Sequence, residues 1–85
     1  MINYSLILFI IGFLKGYGKQ VVSYNNENSE TTCRFELSEP LSTDLVFILR
    51  KELAKFASAV EQCKAAVRIV QRNNCLIIQV QLIDR

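Results

Sequence analysis

Apolar side chains recur at helical spacing over residues 43–61, and this pattern predicts one amphipathic helix there. At about 100° per residue, Leu45, Leu49 and Phe56 fall on one side, which is typical of a stripe that packs on a core. Just before the stripe, Ser42 and Thr43 offer hydroxyls that suit a helix N-cap. The opposite arc is polar and contains Arg50, Lys51, Ala54, Lys55, Ser58 and Glu61.

Residues 65–83 alternate apolar and polar side chains around Asn73 and Asn74, which predicts a β-hairpin with a two-residue loop. A slip of one residue would turn every side chain to the opposite face, so the apolar pattern fixes the register. That register pairs Arg72 with Cys75, Val70 with Ile77 and Arg68 with Gln79. The face expected to lie under the helix is Val67, Ile69, Gln71, Leu76, Ile78, Val80 and Leu82. The opposite face is Arg68, Val70, Arg72, Cys75, Ile77, Gln79 and Gln81.

The N-terminal segment, residues 1–14, is apolar and carries no charged side chain. It is rich in β-branched and aromatic residues, and turn residues follow it from Lys15 to Gly18, so we predict a strand. A buried or interfacial helix and a membrane or targeting segment are the alternatives. A membrane-spanning helix needs about 20 apolar residues, and Lys15 and Lys19 end this segment earlier.

The remaining residues complete an α+β fold. Strand character resumes over 19–24, a polar loop is expected over 25–30, and residues 31–37 alternate as a further strand. The predicted element order is β-β-β-α-β-β, within a single domain over residues 1–85. We therefore expect two layers, with one long helix packed on a mainly antiparallel sheet.

A first strand that is apolar on both faces needs cover on both, and one helix covers only one. We therefore predict an interface with a second copy or a partner protein. Its residues are Ile7, Phe9, Ile11 and Phe13, with Phe47, Val70 and Ile77 as further contacts. The alternative is a monomer in which the N-terminal segment folds as a helix onto the open face of the sheet.

The net charge of +2 is small, but its distribution is uneven. Residues 1–47 hold three basic and five acidic side chains, whereas residues 48–85 hold seven and three. This asymmetry indicates an anionic partner on the helix and hairpin side. The candidate contacts to an anion or nucleic acid are Arg50, Lys51, Lys55, Lys64, Arg68, Arg72, Asn73 and Asn74. Because the polar face of the hairpin has no aromatic side chain on which bases could stack, nucleic acid is the less favoured partner.

Catalytic and metal-binding patterns are weak in this sequence. The chain has no histidine, its three cysteines form no Cys-x-x-Cys pair, and it has neither a nucleophile motif nor a glycine-rich phosphate loop. We therefore predict no catalytic residues, no metal and no cofactor. An odd cysteine count without a disulfide framework indicates a reducing compartment, the cytoplasm.

These observations predict a non-enzymatic protein-interaction or assembly module that associates through an apolar sheet face. A nucleic-acid-binding module is the first alternative. A membrane-associated protein anchored by the N-terminal segment is the second, and we do not favour a membrane partner because that segment is short.

Overall fold

The computed structural model describes residues 4–26 and 31–83, which form two helices and four strands. The helices are α1 (Tyr4–Gly16) and α2 (Thr43–Glu61). The strands are β1 (Val21–Asn26), β2 (Thr32–Leu37), β3 (Lys64–Arg72) and β4 (Cys75–Ile83). The predicted α+β class, with helices packed on an antiparallel sheet, is confirmed. Two residues of the expected 25–30 loop belong to β1, and residues 27–30 lie outside the described residues.

The strand predicted over residues 1–14 is wrong, because residues 4–16 form α1 and residues 1–3 lie outside the described part of the chain. In an almost wholly apolar segment, the strand and helix periods fit equally well, so periodicity does not decide. The helix buries Leu6, Ile10 and Leu14 on one side and leaves Leu8 51% exposed. A helix also satisfies its own backbone hydrogen bonds, so it can cover a sheet without joining it.

The end of α1 explains why the glycine-containing segment is not a hairpin turn. Gly18 has φ 74°, in the left-handed region that favours glycine. The N–H of Lys19 donates to the carbonyl of Leu14 at 2.8 Å, and the N–H of Gly18 donates to that of Lys15 at 3.0 Å. These two bonds form a Schellman motif, the common glycine-dependent end of a helix.

The predicted bounds of the second helix are confirmed at both ends. The Ser42 hydroxyl accepts a hydrogen bond from the N–H of Leu45 at 3.1 Å, so Ser42 is the N-cap and Thr43 is the first residue of the helix. At the other end Gln62 adopts the left-handed conformation, with φ 58° and ψ 35°. The Ser58 hydroxyl donates to the carbonyl of Cys63 at 2.6 Å, which ties the last turn of α2 to the chain entering β3.

The four strands are antiparallel in the order β1-β2-β4-β3. The predicted hairpin register is confirmed, since Arg72 pairs with Cys75 and Val70 with Ile77 around the two-residue loop. Asn73 has φ 55°, a conformation that asparagine tolerates better than most residues. Because β2 pairs with β4, the hairpin is joined to the β1–β2 pair through the middle of the sheet.

Both helices pack on one face of the sheet, which we name the inner face. Its buried residues come from the central strands and are Cys33, Phe35, Leu37, Leu76, Ile78 and Val80. The helices contribute Leu6, Ile7, Ile10 and Leu14 from α1 and Leu45, Leu49, Leu53 and Ala57 from α2. The N-terminal helix of the alternative arrangement is present, but α1 lies beside α2 rather than on the opposite face of the sheet.

Within residues 4–26 and 31–83, neither helix has the length and apolar character needed to cross a membrane.

Candidate binding surface

The opposite side of the sheet, which we name the outer face, is covered by no element of the described chain. Its residues are Ser23, Asn25, Thr32, Arg34, Glu36, Lys64, Ala66, Arg68, Val70, Arg72, Cys75, Ile77, Gln79, Gln81 and Ile83. A strand rises about 3.3 Å per residue and neighbouring strands lie about 4.8 Å apart, so the face measures at most about 30 by 19 Å. That extent suits a small protein interface better than a deep ligand site.

The centre of the outer face is apolar. Val70 and Ile77 are directly paired across β3 and β4, and Ile77 is paired on its other side with Arg34 of β2. Val70 is 39% exposed and Ile77 is half-buried, so both present apolar surface to solvent. Both were predicted as interface residues, and the structure places them side by side.

Three arginines frame this apolar centre. Arg68 and Arg72 lie on β3, two residues to either side of Val70, and Arg34 lies across β4 from them. The spacings of a β-sheet put their Cα atoms about 12 to 13 Å apart, and we name this arrangement the arginine triangle. None of the three guanidinium groups has an ion-pair or hydrogen-bond partner among residues 4–26 and 31–83.

The outer face as a whole is strongly cationic. Lys64 adds a fourth cation, whereas Glu36 is the one carboxylate that the described residues place there. The carboxylate accepts a hydrogen bond from the Ser23 hydroxyl at 3.1 Å. Since the whole chain has a net charge of only +2, the charge of this face is concentrated rather than shared.

The predicted anion-binding residues do not form one surface. Lys64, Arg68 and Arg72 lie together on the outer face, as predicted from the hairpin register. By contrast, Arg50, Lys51 and Lys55 are exposed on α2, which packs against the inner face, so they lie on the other side of the molecule. Lys55 forms a 3.5 Å ion pair with Glu52 within the same helix.

The two loop asparagines have different surroundings. Asn73 is exposed, whereas the side chain of Asn74 donates to the carbonyl of Leu37 at 2.8 Å. The carbonyl of Asn74 in turn accepts from the N–H of Leu37 at 2.8 Å. Asn74 therefore fastens the hairpin to the end of β2, and its side-chain amide is already engaged within the protein.

Gln71 makes a matching contact on the inner face. Its amide oxygen accepts from the N–H of Leu41 at 2.8 Å, and its amide nitrogen donates to the carbonyl of Leu41 at 3.0 Å. This explains the one polar residue on the predicted apolar face of the hairpin. Together, Gln71 and Asn74 fix the segment between β2 and α2 against the hairpin, and they hold the strands of the arginine triangle in place.

The predicted N-terminal interface does not exist as one face, because α1 is a helix. Ile7 is buried in the core at 4% exposure, and Ile11 packs against it. Phe9 and Phe13 lie around the helix from them and are half-buried. The Phe9 ring stacks on Phe56 of α2, with 4.4 Å between centroids, and its centroid lies 6.2 Å from that of Phe13.

Phe47 is 52% exposed on α2. The guanidinium of Arg50 lies 5.2 Å from the centroid of its ring, and the ammonium of Lys51 lies 5.5 Å from it. These distances allow cation–π attraction, so the ring has polar neighbours of its own. A role of Phe47 in an interface stays a prediction, and it would lie on a different surface from Val70 and Ile77.

A cavity of about 410 Å³ lies between the end of α1 and the start of β1, away from the outer face. Two lysines line it, but Lys19 forms a 3.0 Å ion pair with Glu39. Two depressions formed by described residues of the outer face are smaller, about 200 Å³ and 110 Å³. Small-molecule sites typically occupy about 300 to 1,000 Å³, so the outer face suits a flat, extended partner.

Arg34 is the site residue that the sequence did not reveal. The alternating pattern of β2 indicates a half-buried strand with one polar face. The sequence around Arg34 does not indicate which strand lies beside β2. Arg34 joins the other two arginines only because β2 pairs with β4, and that pairing joins residues far apart in the chain.

Compared with known proteins, the chain matches no family model, no curated protein and no solved structure.

Proposed function

We propose that this protein is a non-enzymatic binding module that uses its outer face to bind an acidic surface of a partner protein. The arginine triangle around Val70 and Ile77 carries the proposal. An apolar centre inside a polar rim is the usual anatomy of a protein interface, and arginine is enriched among residues that dominate binding energy. Guanidinium groups also bind carboxylates in a two-pronged geometry that lysine cannot reproduce.

The charge of the face favours a different protein as partner over a second copy. Two outer faces brought together would bring four cations against four, with one carboxylate on each side. Like charges at close range oppose such an association. The self-association predicted from the sequence relied on one face of an N-terminal strand, but residues 4–16 form a helix. We propose the cytoplasm as the compartment, supported by an odd number of cysteines without a disulfide framework.

Titration with poly-L-glutamate, at about 50 mM and about 200 mM salt, tests the proposal. We expect binding that weakens with salt. The double variant Arg68→Glu/Arg72→Glu should weaken binding about tenfold or more, which corresponds to about 1.4 kcal/mol. The matched control Lys51→Glu/Lys55→Glu makes the same change in net charge on the opposite side of the molecule. Its affinity for poly-L-glutamate should stay within about threefold of that of the unmodified protein. Equal losses in both double variants would mean that net charge, not the outer face, governs binding.

Nucleic acid is the second candidate, because the four cations of the outer face also suit a phosphate backbone. It is less favoured because, among the residues that the structure describes, no aromatic side chain lies on that face to stack on a base. The same titration with duplex DNA and single-stranded RNA separates the two partners. If either nucleic acid binds more tightly than poly-L-glutamate and loses that binding in Arg68→Glu/Arg72→Glu, the result would identify nucleic acid, rather than an acidic protein, as the partner.

A further inference from the structure

The sheet has two edges, and they differ in length and regularity. The β1 edge is six residues long, and its register shifts between Val21 and Ser23. The β3 edge is nine residues long, and all nine residues pair with β4 in one unbroken register. Natural proteins commonly protect edges with short strands and bulges, and β1 has both features. The β3 edge has neither.

The hairpin geometry determines which backbone groups of β3 are unpaired. In a hairpin with a two-residue loop, the residues flanking the loop exchange both hydrogen bonds, and the bonded pairs then alternate along the strands. Arg72, Val70 and Arg68 therefore direct their N–H and C=O groups to β4. The intervening residues, Ala65, Val67, Ile69 and Gln71, direct theirs away from the sheet. The β3 edge thus offers four N–H and four C=O groups to an added strand.

The apolar layer of the inner face also continues to this edge without being closed there. On β4, Leu76, Ile78 and Val80 are fully buried. On β3, Val67 and Ile69 are paired with Val80 and Ile78 on the same face but are only half-buried. An additional strand along β3 would remove more of these two side chains from water, which favours its binding.

The charges on β3 specify the chemistry of that strand. Lys64, Arg68 and Arg72 recur every fourth residue on the outer side of the edge. A strand paired with β3 would place its own side chains directly opposite them, about 5 Å away between Cβ atoms. Carboxylates there would be attracted, whereas a second copy of β3 would bring further cations to the same side.

We infer that the β3 edge binds an extended segment of the acidic partner protein as a fifth strand of the sheet. The segment has acidic residues at every fourth position and apolar residues on its other face, beside Val67 and Ile69. Backbone hydrogen bonds supply the attachment and the alternating side chains supply the specificity, as in other cases of strand addition. This inference rests on the proposed function, because it assumes an acidic protein partner.

A designed peptide, E-V-T-V-E-V-T-V-E with both ends capped, tests this inference. Its glutamates can lie opposite Arg72, Arg68 and Lys64, and because the sequence is palindromic it presents the same pattern in either direction. We expect it to bind, and the matched peptide with lysine in place of glutamate to bind at least about tenfold more weakly. Arg68→Glu should narrow or reverse that preference.

Amide hydrogen exchange measured by NMR locates the peptide. In the free protein the amides of Val67 and Ile69 should exchange rapidly and those of Arg68 and Val70 slowly. Peptide binding should protect Val67 and Ile69. If the peptide binds and perturbs Val70 and Ile77 but leaves the two edge amides unprotected, the inference is overturned while the proposed function stands. If neither this peptide nor poly-L-glutamate binds, both are overturned.

Two further outcomes are informative. Protection of the edge amides without peptide, rising with protein concentration, would identify a second copy as the occupant and overturn the inference. The variant Val67→Pro removes one outward N–H and no bond to β4, so it should weaken peptide binding about tenfold or more. Val67→Ala keeps that N–H and loses only part of the side-chain contact, so it should weaken peptide binding less than Val67→Pro does. If Val67→Pro does not fold, hydrogen exchange in the unmodified protein still shows whether the peptide binds at the β3 edge.

Discussion

The two faces of the sheet differ in composition and in cover. The inner face is apolar, covered by α1 and α2, and includes no buried charged residue among those described. The outer face carries four cations and is uncovered, and its arginines contact no carboxylate in the described chain. We expect the free energy of unfolding to depend on the inner face and, under the proposed function, binding to depend on the outer face. Substitutions on one face should therefore leave the property of the other unchanged.

The largest effect on stability should come from removing a core side chain of α1. Ile10→Ala should lower the free energy of unfolding by about 2 to 5 kcal/mol, because Ile10 is fully buried. Leu8→Ala, on the exposed side of the same helix, should cost less than about 1 kcal/mol. Denaturant unfolding followed by circular dichroism measures both. Equal losses would show that α1 does not cover the inner face in this orientation.

A smaller loss should follow removal of the Gln71 amide. Gln71→Leu leaves the N–H and C=O of Leu41 without their partners, which should cost about 1 to 3 kcal/mol. Gln79→Leu makes the same chemical change on the outer face, where the side chain is exposed, and should change stability by no more than about 0.5 kcal/mol. A similar cost for both variants, measured by thermal or denaturant unfolding, would contradict the division between the faces.

Two glycines of the α1 region should respond to alanine with opposite signs. Gly18→Ala places a side chain at φ 74° and should destabilise the protein by about 1 kcal/mol. Gly12 lies inside the helix with open space around it, so Gly12→Ala should stabilise it by up to about 1 kcal/mol. The melting temperatures of the two variants and the unmodified protein, measured in the same buffer, test these opposite signs. Destabilisation by both substitutions would contradict a helix that runs through Gly12 and ends before Gly18.

The smallest effect on stability should come from the arginine triangle. Arg68→Glu should change the free energy of unfolding by no more than about 0.5 kcal/mol, since the guanidinium has no partner within the described chain. The same variant should weaken the binding of poly-L-glutamate. Chemical denaturation and titration on one preparation compare the two properties. A large loss of stability would mean that Arg68 has a structural role in the fold.

The sequence predicted α2 and the hairpin closely because competing arrangements could be tested against their patterns. Shifting the hairpin by one residue would have mixed Arg68 with the apolar set, so only one register fitted. The segment of α1 offered no such test, because nearly all its residues are apolar and either period is satisfied. The feature that could have indicated a helix was Gly18, placed where a helix ends rather than where two strands turn.

The sequence also predicted part of the candidate site. Arg68, Arg72, Val70 and Ile77 followed from the hairpin register alone, and the structure places them on one face. Arg34 did not follow, because its position depends on which strands are neighbours in the sheet. That order is set by packing between distant parts of the chain, and one sequence carries no local signal of it.

The pairing of β2 with β4 also bears on how quickly the chain folds. Phe35 and Leu76 are paired although about 40 residues separate them, so joining them costs about 3 kcal/mol of loop-closure entropy. By contrast, the β3–β4 hairpin and α2 form from residues close in sequence, which is the faster kind of contact. Asn74, with both its hydrogen bonds to Leu37, lies where this slow closure is completed. We therefore expect residues 43–83 to form first, and the arginine triangle to be completed only when β2 pairs with β4.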